Sequence, residues 1–204
     1  MLSNLPRQVM YGASSLGRLK VEAAAERLRK DYPDVGLEAY PVALDASNAA
    51  DLIARHDFII DATDDPAVKF LINDTCVALG RPFVYAGVLG MSGQAMTVIP
   101  GRTACLRCLF EEPPAPGEIA SCREAGILGP VAAVIGEIEA AEASRWLRGE
   151  EPELAGKILT YNADAGGSIR TLEVSMRAEC GCESLQRIHR ARAYSATREH
   201  TTNH

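Results

Sequence analysis

The chain has no run of apolar residues approaching the roughly eighteen that a membrane-crossing helix needs. Its first residues show no basic stretch leading into an apolar segment. Neither a membrane span nor an export signal is therefore expected, and the cytoplasm is the expected compartment. No internal repeat is visible, and no G-x-G-x-x-G fingerprint marks a dinucleotide site, which argues against an NAD-dependent dehydrogenase. Also missing is a glycine-rich turn ahead of SNLPRQ. That lack matters, because Asn4, Arg7, Gln8 and the later Lys20 look like one half of a phosphate site, and such a site draws on backbone N–H groups at a glycine-rich turn.

What is present is ordinary for a soluble globular domain: 204 residues, 47% of them apolar and 24% charged. The net charge of −6 is uneven, since residues 184–204 carry four Arg against one Glu, a net +3 that leaves −9 for the rest. A short basic tail without apolar periodicity reads as a disordered terminus, and no nucleic-acid partner is expected. Six cysteines without an export signal are expected to stay reduced, which favours metal ligation or catalysis over disulfides.

Val21, Ala24, Ala25 and Leu28 recur at helical spacing between Gly17 and Pro33, predicting a helix over 18–31. Residues 37–44 read as a strand, 48–55 as a short helix capped by Ser47, and DFIIDAT (57–63) as a strand buried on both faces. Asp64 and Asp65 before Pro66 mark a helix start, and the apolar stripe runs from Val68 to Gly80, with Cys76 in the core. Residues 83–90 and 94–99 flank a Met-Ser-Gly turn as a strand pair. A long loop over 100–130 holds three of the six cysteines, after which Pro130 opens a helix closed by Gly149. KILTYNAD and the alternating Leu172, Val174 and Met176 give two last strands. The pattern is α/β: a mixed sheet with helices on its faces.

Three constellations carry chemistry. Asp61 and Asp64 lie where a strand enters a helix, the end at which open α/β sheets place ligands, and one of the two carboxylates suits Mg²⁺. The alternative is that an Asp there only caps the helix. Arg7 and Lys20 suit phosphate, Arg as a planar fork and Lys as a compact charge at a helix mouth; otherwise they are solvated surface cations. Cys105 and Cys108 form CxxC, while Cys180 and Cys182 form CxC; together the four read as a tetrahedral zinc site, with His189 able to replace one sulfur, or as buried free thiols. Cys122 stands apart beside Arg123, where it is either a nucleophile or sulfur acceptor, or an inert loop thiol.

SNLPRQ, GxxK, DATDD, CLRCLF, SCREAGILGP and the terminal cysteine pair, in that order, resemble the MoeB/ThiF/HesA family of ubiquitin-activating-like adenylyltransferases, from about Leu2 to Glu183. The resemblance implies a Rossmann-like mixed sheet with helices on both faces, a ThiF-type adenylation domain over 1–183 and a tail over 184–204. It implies ATP-dependent adenylylation of the C-terminal Gly-Gly carboxylate of a small ubiquitin-like sulfur-carrier protein, after which a sulfur donor converts the adenylate to a thiocarboxylate for molybdopterin, thiamine or a related product. By position it implies that Asn4, Arg7, Gln8 and Lys20 contact ATP, that Asp64 holds Mg²⁺, and that Cys105, Cys108, Cys180 and Cys182 hold Zn²⁺. A homodimer is a further family expectation. Here Asp65 stands in place of the family's Asn, Lys69 in place of its Arg, and the second cysteine pair is CxC.

The family's Gly-rich turn and first strands would lie upstream of SNLPRQ. A fragment or displaced start codon is therefore expected, with exposed sheet edges and a need for a partner. The alternative function is a catalytically silent, zinc-bearing module that pairs with a complete subunit.

Overall fold

The computed structural model describes residues 8–115 and 126–182. Its frame is one five-stranded sheet in the order β1-β2-β3-β4-β5, formed by β1 (Ile59–Asp61), β2 (Phe83–Leu89), β3 (Ser92–Val98), β4 (Lys157–Asn162) and β5 (Ser168–Glu173). β1 and β2 are parallel, and every other neighbouring pair is antiparallel. Chain reversals explain this: β2–β3 and β4–β5 are joined by short turns, whereas β1 reaches β2 through a helix.

The helices are α1 (Lys20–Asp31), α2 (Ala49–Ala54), α3 (Pro66–Leu79), α4 (Leu106–Leu109) and α5 (Gly129–Leu147). α3 begins where Asp65 accepts the N–H of Ala67 at 2.8 Å and Pro66 presets the first turn; it ends at Gly80, whose φ of 67° closes the last turn. On one face of the sheet Phe83, Tyr85, Met96 and Val98 pack with Ile53 of α2 and Phe70, Cys76 and Val77 of α3. On the other face Ala86, Ala95 and Leu159 pack with Ile135 of α5. α5 comes so close that a Cβ on Gly93 would lie 2.4 Å from Ile135 Cγ1, so only glycine fits at that point of β3.

Several expectations need correcting. Residues 37–44 form no strand, because nothing among the described residues lies alongside to pair with them. β1 is not buried on both faces: it has one strand neighbour among the described residues, and Ile60 is 48% exposed. Asn48, not Ser47, occupies the cap position of α2; Ser47 instead donates to Asp45. The stretch after residue 100 is not all loop, since α4 forms there. Val174 and Met176 lie beyond the end of β5. Val9, Leu16, Leu19, Val35 and Val42 are all exposed apolar side chains on the first part of the chain.

Candidate functional site

The C-terminal ends of the parallel strands β1 and β2 open beside the N-terminus of α3, and the turn between β1 and α3 is built by its own side chains. Asp61, the last residue of β1, is fully buried, and its Oδ1 accepts the backbone N–H of Thr63 at 3.0 Å and the Thr63 hydroxyl at 2.6 Å. Its Oδ2 accepts from Lys69 Nζ at 3.2 Å. Asp65 is occupied in capping α3. Asp64, between them, is exposed and has no hydrogen-bond or ion-pair partner among the described residues. Of the two acidic residues weighed for Mg²⁺, Asp61 is thus committed to the fold and Asp64 is the one available.

Lys69 comes from the first turns of α3 and is almost buried. Its ammonium donates to the carbonyl of Ala86 and to Asp61, and lies 5.1 Å from the centre of the Tyr85 ring. Tyr85 in turn accepts from Gln94 Nε2 at 2.5 Å. From the opposite side of the sheet, Glu139 on α5 is also buried, with Oε1 unpartnered. Burial pushes its carboxyl up to about 8; the charge of Asp61 acts in the same direction and that of Lys69 opposes it. Burial therefore favours the protonated form of Glu139 at neutral pH.

Among the other proposed nucleotide contacts, Lys20 is the first residue of α1, exposed and without a side-chain partner among the described residues. Gln8 is half-buried, and its Oε1 has no hydrogen-bond partner among the described residues. Asn4, Arg7, Cys122 and His189 lie outside the described residues.

The four cysteines do come together. Their sulfurs all lie within 4.8 Å of one another, with Cys105–Cys180 at 3.4 Å and Cys105–Cys108 and Cys108–Cys182 at 3.9 Å. A tetrahedron with Zn–S bonds of about 2.3 Å has edges of about 3.8 Å, so the donor set fits zinc in number, chemistry and spacing. CxC suffices because Gly181, at φ 73°, reverses the chain between Cys180 and Cys182. Burial and the neighbouring thiols raise Cys182 to about 12 and raise Cys105 as well. At Cys108 burial also acts upward, but hydrogen bonding from the backbone of Arg177 and Cys105 outweighs it, and the net shift is down. The N–H of Arg177 reaches Cys108 Sγ at 3.5 Å. The cluster ties α4 to the segment after β5.

The sequence reading did not single out Glu139, Glu142 or the role of Lys69. The signal was there: Val131, Ile135, Glu139 and Glu142 recur at helical spacing, so both carboxylates sit on the apolar stripe of α5.

A mixed sheet covered by helices on both faces, with four cysteines gathered between α4 and the segment after β5, defines an α/β domain with a cysteine cluster at one side. The ThiF family profile matches residues 1–183. The "Sulfur carrier protein adenylyltransferase" of Thermus thermophilus is 39% identical over 194 residues, which cover 91% of this chain and 71% of that protein. The "SAMP-activating enzyme E1" of Haloferax volcanii is 38% identical, over 79% of this chain and 59% of its own length. The "Adenylyltransferase and sulfurtransferase MOCS3" of Caenorhabditis briggsae is 36% identical, over 89% and 46%. The chain thus spans about half the length of several relatives. The crystal structure of E. coli MccB with ATP superposes with a TM-score of 0.74 at 19% identity, over 90% of this chain and 56% of that one, a likeness of fold. The chain belongs to the ThiF family. Its homologues are adenylyltransferases of the ubiquitin-activating-like type. Among the described residues, no helix is long and apolar enough to cross a membrane.

Proposed function

We propose that this chain carries the nucleotide-transferring part of an enzyme that adenylylates the C-terminal Gly-Gly carboxylate of a small ubiquitin-like sulfur-carrier protein. The observation that carries the reading is Asp64: in a ThiF-family chain, an exposed carboxylate without a partner among the described residues stands at the C-terminal end of a parallel strand, on a turn whose other acidic residues are occupied. Asp64 would hold Mg²⁺, which supplies charge neutralisation at the phosphates. Lys20, exposed at the head of α1, and Arg7 would receive the phosphate oxygens, with Asn4 and Gln8 contacting the nucleotide.

The carrier carboxylate attacks the α-phosphorus, the bond to the bridging oxygen breaks, and pyrophosphate leaves. Charge grows on phosphate oxygens, so positioning and cationic side chains do most of the work. Cys122 is the candidate acceptor of persulfide sulfur from a donor: its terminal sulfur would displace AMP from the acyl carbon to give an acyl disulfide, and a second thiol attacking Cys122 Sγ would release the thiocarboxylate and leave a disulfide. Cys105, Cys108, Cys180 and Cys182 would hold a structural Zn²⁺ that fixes the clip. A homodimer and a cytoplasmic setting, in which the thiols stay reduced, complete the reading.

ATP–pyrophosphate exchange by the full chain, with Mg²⁺ and a Gly-Gly-ending carrier protein, tests it. Exchange that disappears in Asp64→Ala while the zinc content stays unchanged is expected. The four-cysteine cluster supports one second reading, a silent zinc-bearing module that binds carrier or partner. Carrier binding without exchange, even when a complete family subunit is added, would select that reading over the first.

A further inference from the structure

We propose that Lys69 is a positioning residue for the turn that presents Asp64, acting as a clamp between the ends of β1 and β2; the inference rests on the reading of Asp64 given above.

Register explains the need for a clamp. The β1–β2 pairing ends with Asp61 opposite Tyr85, whereas β2 continues to Leu89. Ala86 is the first residue of β2 past that end; it pairs with Ala95 of β3 on its other side, and its carbonyl receives Lys69 Nζ in place of a β1 partner. The same ammonium holds Asp61 Oδ2 at 3.2 Å, and the Lys69 side chain is only 11% exposed. One cation therefore bridges the last residue of β1 and the first residue of β2 that has no partner on β1.

The bridge fixes the turn because Asp61 has a second job. Its other oxygen takes both donors of Thr63, which sets the direction in which the chain leaves β1. At the far end, Asp65 caps α3, and the N–H of Lys69 returns to the carbonyl of Asp65 at 3.0 Å. Residues 61–65 are thus tied at both ends, and Asp64 between them is left without a partner among the described residues. A fixed backbone with a free carboxylate is what a preorganised ligand requires.

The surroundings suit an ammonium. Lys69 carries three donors from one point, two of which are used on Asp61 and Ala86, while its charge faces the Tyr85 ring. Glu139 approaches from α5 without hydrogen-bonding Oε1, and in its protonated form it adds no second negative charge to the Asp61–Lys69 pair. Without Lys69, Asp61 would be a buried carboxylate with no counter-ion and a free lone pair, and its grip on Thr63 would loosen.

The test compares the full chain with Lys69→Met and Lys69→Arg. Amide hydrogen exchange at Thr63 and Ala67 reports the turn, and the electron paramagnetic resonance of free Mn²⁺ in the presence of ATP reports metal–nucleotide binding. Because Lys69→Met strands a buried charge, the double variant Asp61→Asn, Lys69→Met is carried alongside it. Lys69→Met, or the double variant where the single one does not fold, is expected to exchange faster at Thr63. Amides of Ala95 and Leu159 should keep their protection, and Mn²⁺–ATP affinity should fall about tenfold, as when a residue that orients a metal ligand is lost. Lys69→Arg should regain most of both. Unchanged Thr63 exchange overturns the proposal. So does acceleration that spreads equally over β3 and β4, or failure of both Met variants to fold, since each shows a core role alone. If the unaltered chain binds no Mn²⁺–ATP, the Asp64 reading falls and takes the role of Lys69 with it; that failure shows in the unaltered chain and cannot be confused with failure of the variants alone.

Discussion

Glu142 on α5 accepts the hydroxyl of Thr97 on β3, and both residues are buried. The same carboxylate takes the N–H of Glu153 at 3.0 Å and of Leu154 at 2.9 Å. One side chain therefore pins a helix, a central strand and the connection into β4. Glu142→Ala would leave three donors without an acceptor, two of them buried and costing about 1–3 kcal/mol each, and the third, at Glu153, open to relief from water. We expect urea unfolding to show a loss of about 3–5 kcal/mol for Glu142→Ala. A smaller loss is expected for Glu142→Gln, which keeps one acceptor oxygen. Equal losses in the two variants would show that packing, not acceptance, is what Glu142 contributes.

Gly93 and Ile135 bring α5 hard against β3. A Cβ at position 93 would meet Ile135 Cγ1 at 2.4 Å and Cδ1 at 2.8 Å, and the first of these atoms is too near the helix to swing away. Gly93→Ala is expected to destabilise the chain by about 1–3 kcal/mol through overpacking. Adding Ile135→Ala removes the clashing atoms, so the double variant should lose less than the sum of the two single losses. Strict additivity would mean that the backbone moves apart without strain and that the contact sets nothing.

Much of this architecture could be read from residue order alone, and the reasons for the failures are physical. α3 was legible because its punctuation is local: an Asp-Pro start and a glycine end, both used as expected. The β2–β3 pair was legible from its turn, and the cysteines from their spacing. Residues 37–44 have strand-like composition, but a strand exists only beside a neighbour, and the sheet ends at β1 among the described residues. Partners across space were equally hidden. Asp61 and Asp64 look alike in DATDDP, and only burial and the donors of Thr63 and Lys69 separate a structural carboxylate from an available one. Glu139 and Glu142 sit on an apolar stripe, where a charged letter suggests solvent unless the partner is known.

The four sulfurs already stand at the spacing of a zinc tetrahedron, so metal should add to stability and not merely decorate the surface. The purified chain is expected to carry one zinc. Chelation should lower the thermal midpoint by about 10 °C or more, as follows from a loss of several kcal/mol in a domain of this size. Cys108→Ser should show the lower midpoint from the outset and no further drop on chelation. A midpoint indifferent to chelator would identify the cluster as free buried thiols.

Glu139 makes stability depend on pH in a direction opposite to the usual carboxylate. Its carboxyl, 4.5 in the unfolded chain, stands at about 8 in the fold, through burial first and the charge of Asp61 on β1 second, against the opposing charge of Lys69 on α3. Between those two values the folded chain holds a proton that the unfolded chain has released, so each rise in pH within the window favours unfolding; above about 8 the effect is complete. Its contribution is therefore fully present below pH 4.5 and is lost as the pH climbs towards 8. Glu139→Gln keeps the shape and the hydrogen-bonding capacity of the protonated carboxyl but cannot ionise. Urea unfolding of both chains from pH 5 to pH 9 should show the variant gaining on the parent by a few kcal/mol, with the difference levelling off near pH 8. A difference that stays constant across that range would mean that Glu139 is ionised in the fold, and that Lys69 is shared between two carboxylates and not held by Asp61 alone.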